Sequence, residues 1–266
     1  MTPAIAFEHV SKRYGEAARP ALDDVSLTVA PGEFVALVGQ SGSGKSTLLS
    51  MINRLTDPSE GIVRFDGEDV RSVDPIALRR RIGYVLQDIG LFPHMTLAEN
   101  IAIVPRLLGW DEARQAARAD ELLHMVQLAP EQYRSRLPRE LSGGQRQRIG
   151  VARAIAAEPR VVLMDEPFGA LDLRTRDALT RDYRKLHDEL KLTTVMITHD
   201  VIEAVLLADR IAVMQDGRLL GLGTPRDLMS NPQNEQVRAL MDMPRHQAER
   251  LNRLMQEGSA PADGAA

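Results

Sequence analysis

Cysteine is absent from this chain of 266 residues. Disulfides, thiol catalysis and cysteine-ligated metals are thereby excluded, and the composition fits a reducing compartment. No run of 18 apolar residues occurs, so no segment is expected to span a membrane. The N-terminus, Met1-Thr2-Pro3-Ala4-Ile5-Ala6-Phe7-Glu8, lacks the basic start and long apolar stretch of a signal peptide. Positive charge is not in excess. A net charge of −4 removes any general electrostatic case for binding nucleic acid. Internal repeats are also missing, so one chain carries the motifs of one site.

What is present suits a globular protein: 44% hydrophobic and 26% charged residues, with enough length for one large domain or a domain with a subdomain. The densest chemistry lies in Gly39-Gln40-Ser41-Gly42-Ser43-Gly44-Lys45-Ser46-Thr47, which fits G-x-x-x-x-G-K-[ST] at every fixed position. Phe34 to Val38 before it is an apolar run of strand length. Leu48, Leu49, Met51, Ile52 and Leu55 after it are spaced like the buried face of a helix. Strand, glycine loop and helix together form a phosphate cradle. The glycines let backbone N–H groups point inward, and the helix N-terminus adds partial positive charge. Lys45 is placed to reach β- and γ-phosphates, and Ser46 to offer its hydroxyl to Mg²⁺.

Ile5, Phe7 and Val10 predict a first strand, followed by a turn at Lys12-Arg13-Tyr14-Gly15. Tyr14 is one of four tyrosines and reads either as a half-buried turn aromatic or as a stacking platform for a base. Ala21–Val29 predicts a second strand, and Gly61–Phe65 with Asp66-Gly67 a strand and hairpin turn. Arg79-Arg80-Arg81 is expected to be a solvated face rather than a phosphate site. Ile82–Leu86 is a strand ending at Gln87. From Asp88 to about Pro159 helical signals replace strand signals, over 98–108, 111–128 and 143–157, with Ser142 in the N-cap position of the last. Trp110 lies between these helices and reads as packing.

Strands then return. Val161–Met164 ends in Asp165-Glu166, Thr194–Ile197 ends in Thr198-His199-Asp200, and Ile211–Met214 pairs with Leu219-Leu220 around Asp216-Gly217. Helices are expected over 175–190 and 201–208. Residues 232–256 are read as two short helices broken at Pro244, and 258–266 as disordered. Alternation of strand and helix predicts an α/β fold with a mostly parallel core sheet, an antiparallel β-subdomain and an inserted α-helical subdomain. The loop 39–46, Gln87, Asp165 and His199 all follow strand ends, where open α/β sheets bind ligands. Asp165 suits a Mg²⁺ ligand, and Glu166 suits a base that orients and deprotonates a water.

Leu141-Ser142-Gly143-Gly144-Gln145-Arg146-Gln147-Arg148 adds a second glycine-rich helix start able to bind an anion. With the phosphate loop and Asp165-Glu166, it resembles the signature of the ABC ATPases, over roughly residues 4 to 230. In that resemblance Gln87 is the Q-loop glutamine, Gly169-Ala170-Leu171-Asp172 the D-loop and His199 the switch histidine. Tyr14 takes the place of the adenine-stacking aromatic, and Gln87 joins Ser46 and Asp165 around the metal. The resemblance implies a P-loop ABC ATPase domain at 4–238, with 88–159 as its helical insert and 239–266 as a C-terminal extension. It further implies ATP and Mg²⁺ as ligands and a head-to-tail dimer with a second copy. There Ser142, Gly143, Gly144 and Gln145 of one copy meet the γ-phosphate held by the other.

The family drives transmembrane permease subunits, supplied by an extracytoplasmic substrate-binding protein. Its ATPases sit peripherally on the cytoplasmic face of the inner membrane. Leu91, Phe92 and Met95 are expected to form an exposed docking surface for that permease. The stretches 51–55, 82–87, 90–96 and 98–101 are similar to the ATPases of osmoprotectant importers for glycine betaine, choline or carnitine. Importers of methionine, polar amino acids or another small solute, and more remotely a soluble non-transport ABC ATPase, share the same motor residues. Only 36 residues follow Ser230. The CBS-domain pair of some relatives does not fit there, so regulation by that route is not expected.

Overall fold

The computed structural model describes residues 2–15, 19–169, 171–243 and 249. The chain opens with β1 (Ile5–Lys12), β2 (Leu22–Val29), β3 (Phe34–Val38) and α1 (Lys45–Ile52). Next come β4 (Glu60–Phe65), β5 (Glu68–Asp69), α2 (Pro75–Arg80) and β6 (Ile82–Val85). Four helices follow without a strand: α3 (Leu97–Leu107), α4 (Glu112–Met125), α5 (Pro130–Tyr133) and α6 (Gly143–Ile155). Then come β7 (Val161–Asp165), α7 (Leu173–Leu190), β8 (Thr193–Ile197), α8 (Val201–Leu207), β9 (Arg210–Gln215), β10 (Arg218–Gly223) and α9 (Pro225–Ser230). Residues 235–243 form a further helix, α10.

β2-β1-β4-β5 make an antiparallel sheet, and β10-β9-β3-β8-β7-β6 make the larger one. In the larger sheet every neighbouring pair from β9 through β6 is parallel, and only β10 runs against its neighbour. All five residues of β3 are buried, as a strand covered on both faces requires. Its side chains alternate between two cores. Phe34, Ala36 and Val38 join the cluster under α6, α7 and α8. Val35 and Leu37 join the cluster that includes β1, β2 and the inner face of α1. Asp66 and Gly67 both have positive φ, 50° and 84°, as the two-residue turn between β4 and β5 needs.

The structure corrects three sequence expectations. Leu48, Leu49, Met51 and Ile52 are buried, but Leu55 is 57% exposed. The helical spacing runs on past the helix itself, which stops at Ile52 with Arg54 in the left-handed region (φ 52°). The arginine run is not a uniform solvated face. Arg79 donates to the carbonyls of Asn53 (3.0 Å) and Arg54 (2.6 Å), closing the C-terminus of α1. Arg81 pairs with Asp66 (3.0 Å) and Glu68 (3.3 Å). Nor are all three apolar residues of the loop after Gln87 exposed. Phe92 is, whereas Leu91 packs on the core and Met95 is half-buried. Asn100, fully buried, shapes this loop by accepting from the Phe92 N–H (2.7 Å) and donating to the carbonyls of Phe92 and Met95 (3.1 Å each).

Helix α9 was not expected, although Thr224 caps it and Pro225 opens it. α10 begins near the expected position, but the break at Pro244 and the segment beyond lie outside the described residues apart from residue 249. Ala170 of the expected D-loop also lies outside them. Trp110 sits under the Arg114 guanidinium, 3.3 Å from its ring centre. No helix among the described residues is long and apolar enough to cross a membrane.

A buried histidine gives the fold a pH dependence. His187 on α7 lies beside Phe34, with its Nδ1 3.0 Å from Thr194 Oγ1. Burial, then the positive charge of Arg184, lowers its pKa below the usual histidine value. The unfolded chain therefore takes up a proton at His187 more readily than the folded one. Stability from this site is complete at neutral pH and falls as pH drops through the unfolded value toward the folded one. Denaturant midpoints followed by circular dichroism should fall between about pH 7 and pH 5, at the reference histidine value of about 6.5. In His187→Gln that slope should be shallower.

Candidate functional site

The site begins with a helix start that lacks a cap. Among the longer helices, α3, α4, α6 and α7 are each capped by a side chain: Thr96, Asp111, Ser142 and Asp172. α1 follows Gly44, has no side-chain cap, and carries no acid in its first turn. Its first N–H groups are thus left open to an anion. Gly39 has φ 149°, and a Cβ there would stand 2.0 Å from the Met214 carbonyl oxygen, so no other residue fits under β9. Lys45 is 7% exposed and folds back over the loop, donating to the carbonyls of Gly39 and Gln40, 2.8 Å each. Ser43 Oγ is 3.4 Å from the same ammonium. Burial lowers the Lys45 pKa, against the opposing pull of Glu166 and Asp165.

The cleft beside this loop has a volume of about 350 Å³. The loop and Ala21 form most of its wall, and Glu166 and His199 complete it. Three strand ends converge on one oxygen there. Glu166 Oε2 accepts from Gln87 Nε2 at 3.3 Å and lies 3.3 Å from His199 Nδ1. Glu166 itself sits at φ 44°, with its N–H bonded to the Ile197 carbonyl at 3.0 Å. This is an uncommon conformation for a residue with a side chain, of the kind stored at functional sites. Burial, reinforced by Glu166 and opposed by Lys45, raises the Asp165 pKa above the usual carboxylate value. A cation placed beside both carboxylates would relieve that penalty.

Among the described residues, no three His, Cys, Asp or Glu side chains converge to hold a metal. Ser46, Asp165 and Gln87 each offer an oxygen donor of the kind Mg²⁺ takes, an ion usually held by few protein ligands and by phosphate and water.

Of the groups from the sequence analysis, Gln87, Asp165, Tyr14 and residues 142–145 are not part of the cleft wall, although Gln87 reaches its Glu166. Tyr14 is 49% exposed, with its hydroxyl 3.4 Å from Thr56 Oγ1 and Lys12 Nζ 5.0 Å from its ring centre. About half of its surface is covered and half is open to solvent, so both readings of Tyr14 stand. Ser142, Gly143, Gly144 and Gln145 open α6 but line no part of the cleft. Ser142 Oγ accepts from the Gln145 N–H (3.3 Å), and Gln145 Oε1 accepts from the Ser142 N–H (3.0 Å). Gln145 Nε2 also donates to Tyr133 Oη at 3.0 Å. Gly144 is confined by α7, since a Cβ would come within 2.4 Å of Thr175 Cγ2. One chain therefore presents a loop with an open helix start and a second glycine-rich start that is not part of the same cleft wall.

The sequence profile of the family described as ABC transporter matches residues 22–169. The chain belongs to this family. Choline transport ATP-binding protein OpuBA of Bacillus subtilis (strain 168) is 52% identical over 233 residues, 88% of this chain and 61% of that protein. Glycine betaine uptake system ATP-binding protein YehX of Escherichia coli (strain K12) is 49% identical over 234 residues, 75% of its length. The chain thus spans about three fifths of the first of these relatives and three quarters of the second. Among solved structures, the dimeric ATP-binding cassette MJ0796 in a post-hydrolysis state bound to ADP and Pi is 36% identical, with a TM-score of 0.73. That match covers 83% of this chain and 98% of the other. The fold is that of an ABC ATPase cassette.

Sequence reasoning missed three contributors: Ala21 in the cleft wall, the Met214 carbonyl over Gly39, and Arg176, which joins the segments after β7 and β8. Only Arg176 is charged, and no motif marks it.

If Lys45 is the ammonium that meets nucleotide phosphate, Lys45→Met removes charge-assisted hydrogen bonds of about 1.5–3 kcal/mol. Titration with a fluorescent ATP analogue should then show affinity reduced about 10- to 100-fold, with the thermal midpoint recorded alongside as a check on the fold.

Proposed function

We propose that this chain is the ATP-binding and ATP-hydrolysing subunit of an importer for an osmoprotectant or quaternary amine such as glycine betaine, choline or carnitine. It would act through transmembrane permease subunits, with an extracytoplasmic substrate-binding protein in the same complex, from the cytoplasmic face of the inner membrane. Residues 4–238 are the ATPase unit, 88–159 its helical insert and 239–266 an extension. The observation that carries the reading is the meeting of Gln87, His199 and the Glu166 carboxylate beside the uncapped, lysine-bearing helix start. Likeness to choline and glycine betaine transport ATP-binding proteins supports the solute class. Sulfate/thiosulfate import ATP-binding protein CysA of Mycobacterium bovis, 45% identical over 241 residues, supports the second reading, an importer of another small solute.

In the mechanism, the backbone N–H groups of 39–47 and Lys45 bind the β- and γ-phosphates, and Tyr14 stacks on the adenine. Ser46, Asp165 and Gln87 would hold Mg²⁺, which when bound neutralises phosphate charge. Glu166 orients a water and takes its proton as the oxygen bonds to the γ-phosphorus and the bond to ADP breaks. Gln87 and His199 fix the direction of the Glu166 carboxylate. Residues 142–145 of a second copy close over the γ-phosphate, which accounts for their absence from the cleft of their own chain.

Glu166→Gln keeps shape and hydrogen bonding but cannot accept the proton. Turnover should fall about 10²- to 10⁴-fold, with ATP still bound and an ATP-held dimer accumulating on gel filtration. A mutant that fails to bind ATP would make Glu166 a structural or metal-binding group instead. The solute is tested by uptake of labelled glycine betaine, choline, carnitine and methionine, in cells expressing the chain with its permease and binding protein. Uptake of the first three and not methionine is expected, and the reverse pattern would replace the solute assignment.

A further inference from the structure

Glu166 and His199 lie on different segments, and something must hold those segments together. Glu166 starts a turn after β7, whose Gly169 N–H donates to the Glu166 carbonyl at 3.3 Å and whose Leu171 N–H donates to Phe168 at 3.2 Å. His199 and Asp200 form the corner between β8 and α8. The turn also runs next to the reactive pair, at a separation that would put even an added methyl in ordinary contact with it. A Cβ on Gly169 would stand 3.6 Å from His199 Cε1 and 3.8 Å from Glu166 Oε2.

Arg176, in the first turn of α7, grips both segments with one side chain that is three-quarters buried. Its Nη1 donates to Asp200 Oδ2 at 3.2 Å, and its Nη2 to the carbonyls of Gly169 and Leu171, 3.3 Å each. Its Nε–H is buried without a hydrogen-bond partner among the described residues. The other oxygen of Asp200 is already engaged, accepting from the N–H groups of Ile202 (2.9 Å) and Glu203 (3.3 Å) at the start of α8. The guanidinium fork thus ties the turn that carries Glu166 to the corner that carries His199. It does so without touching the phosphate loop. The planar fork suits this, since its N–H groups diverge in fixed directions, whereas the three N–H groups of an ammonium rotate about a single point.

We propose that Arg176 is a positioning residue for hydrolysis: it ties Gly169 and Leu171, which follow Glu166, to the His199–Asp200 corner and so sets the contact between the Glu166 carboxylate and the His199 imidazole. This rests on the reading of Glu166 as the base. Substrate binding is left to other residues, so loss of Arg176 separates turnover from affinity.

The test uses the full chain with Arg176→Met, Arg176→Lys, Asp200→Asn and the double variant Arg176→Met/Asp200→Asn, together with Glu166→Gln. Measured quantities are ATP affinity, kcat, KM and the folded fraction at the assay temperature. Arg176→Met should lower kcat about 10- to 100-fold, with ATP affinity and KM within about twofold of the parent, a loss within the span of a misplaced general base. Arg176→Lys should recover part of the rate. Asp200→Asn retains an amide oxygen to cap α8 and should fall between the parent and Arg176→Met. The double variant should be no slower than Arg176→Met alone, because both changes break one clamp.

An unchanged kcat in Arg176→Met overturns the proposal. So does a fall in ATP affinity parallel to kcat, a rate loss that merely follows the unfolded fraction, or additive losses in the double variant. Glu166→Gln separates the two readings. If it keeps normal turnover, the base assignment fails and the proposal with it. If it is inactive while Arg176→Met is normal, only the positioning role is lost.

Discussion

Parallel alignment is the constraint on which the rest of this molecule depends. From β9 through β3, β8 and β7 to β6 every neighbour runs the same way, so every one of these strands delivers its following loop to the same edge. β3 and β8 are buried on both faces and β3 is wholly apolar, which leaves little place for charged chemistry within the sheet. It is displaced to the ends. Gly39 follows β3, Asp165 closes β7, His199 follows β8 and Gln87 follows β6. Contacts between residues 79 and 33 positions apart in the chain, Gln87–Glu166 and His199–Glu166, are consequences of this single choice of direction.

What was legible in the sequence follows the same division. Fully buried strands announce themselves as continuous apolar runs, and the phosphate loop as fixed glycines before a lysine. These features are local, so composition alone reveals them. Leu55 misled because helical spacing says nothing about where a helix stops; the positive φ of Arg54 decides that. Three adjacent arginines look alike in the sequence, yet α2 ends among them and turns Arg79 and Arg81 to different neighbours. Leu91 and Met95 looked exposed because a buried asparagine that folds a loop inward cannot be told from a surface one. Arg176 was invisible for a related reason. Two of its acceptors are backbone carbonyls, which carry no residue identity.

The two glycine-rich helix starts show how similar sequences acquire opposite states. α1 begins without a side-chain cap, whereas α6 begins with Ser142 and Gln145 satisfying each other's backbone. The first is open to a ligand from within its own chain, and the second is locally complete. Gly144 also rests on Thr175, the neighbour of Arg176. The start of α6, the start of α7 and the turn that carries Glu166 are therefore contiguous, and displacement at one is felt by the others through packing that leaves little free volume.

Arg79 gives the phosphate-binding helix a mechanical character. α1 is only eight residues long, a rod of about 12 Å at the usual rise per residue. One end is seated in the loop beneath Met214, and the far end is pinned by the guanidinium that holds the carbonyls of Asn53 and Arg54. Between these two ends its inner face is packed against the sheets. The guanidinium belongs to α2, which packs on β6, so the far end of α1 is tied through Arg79 to a second helix and its strand. The end of the helix farthest from the chemistry is thus closed by a side chain from another element.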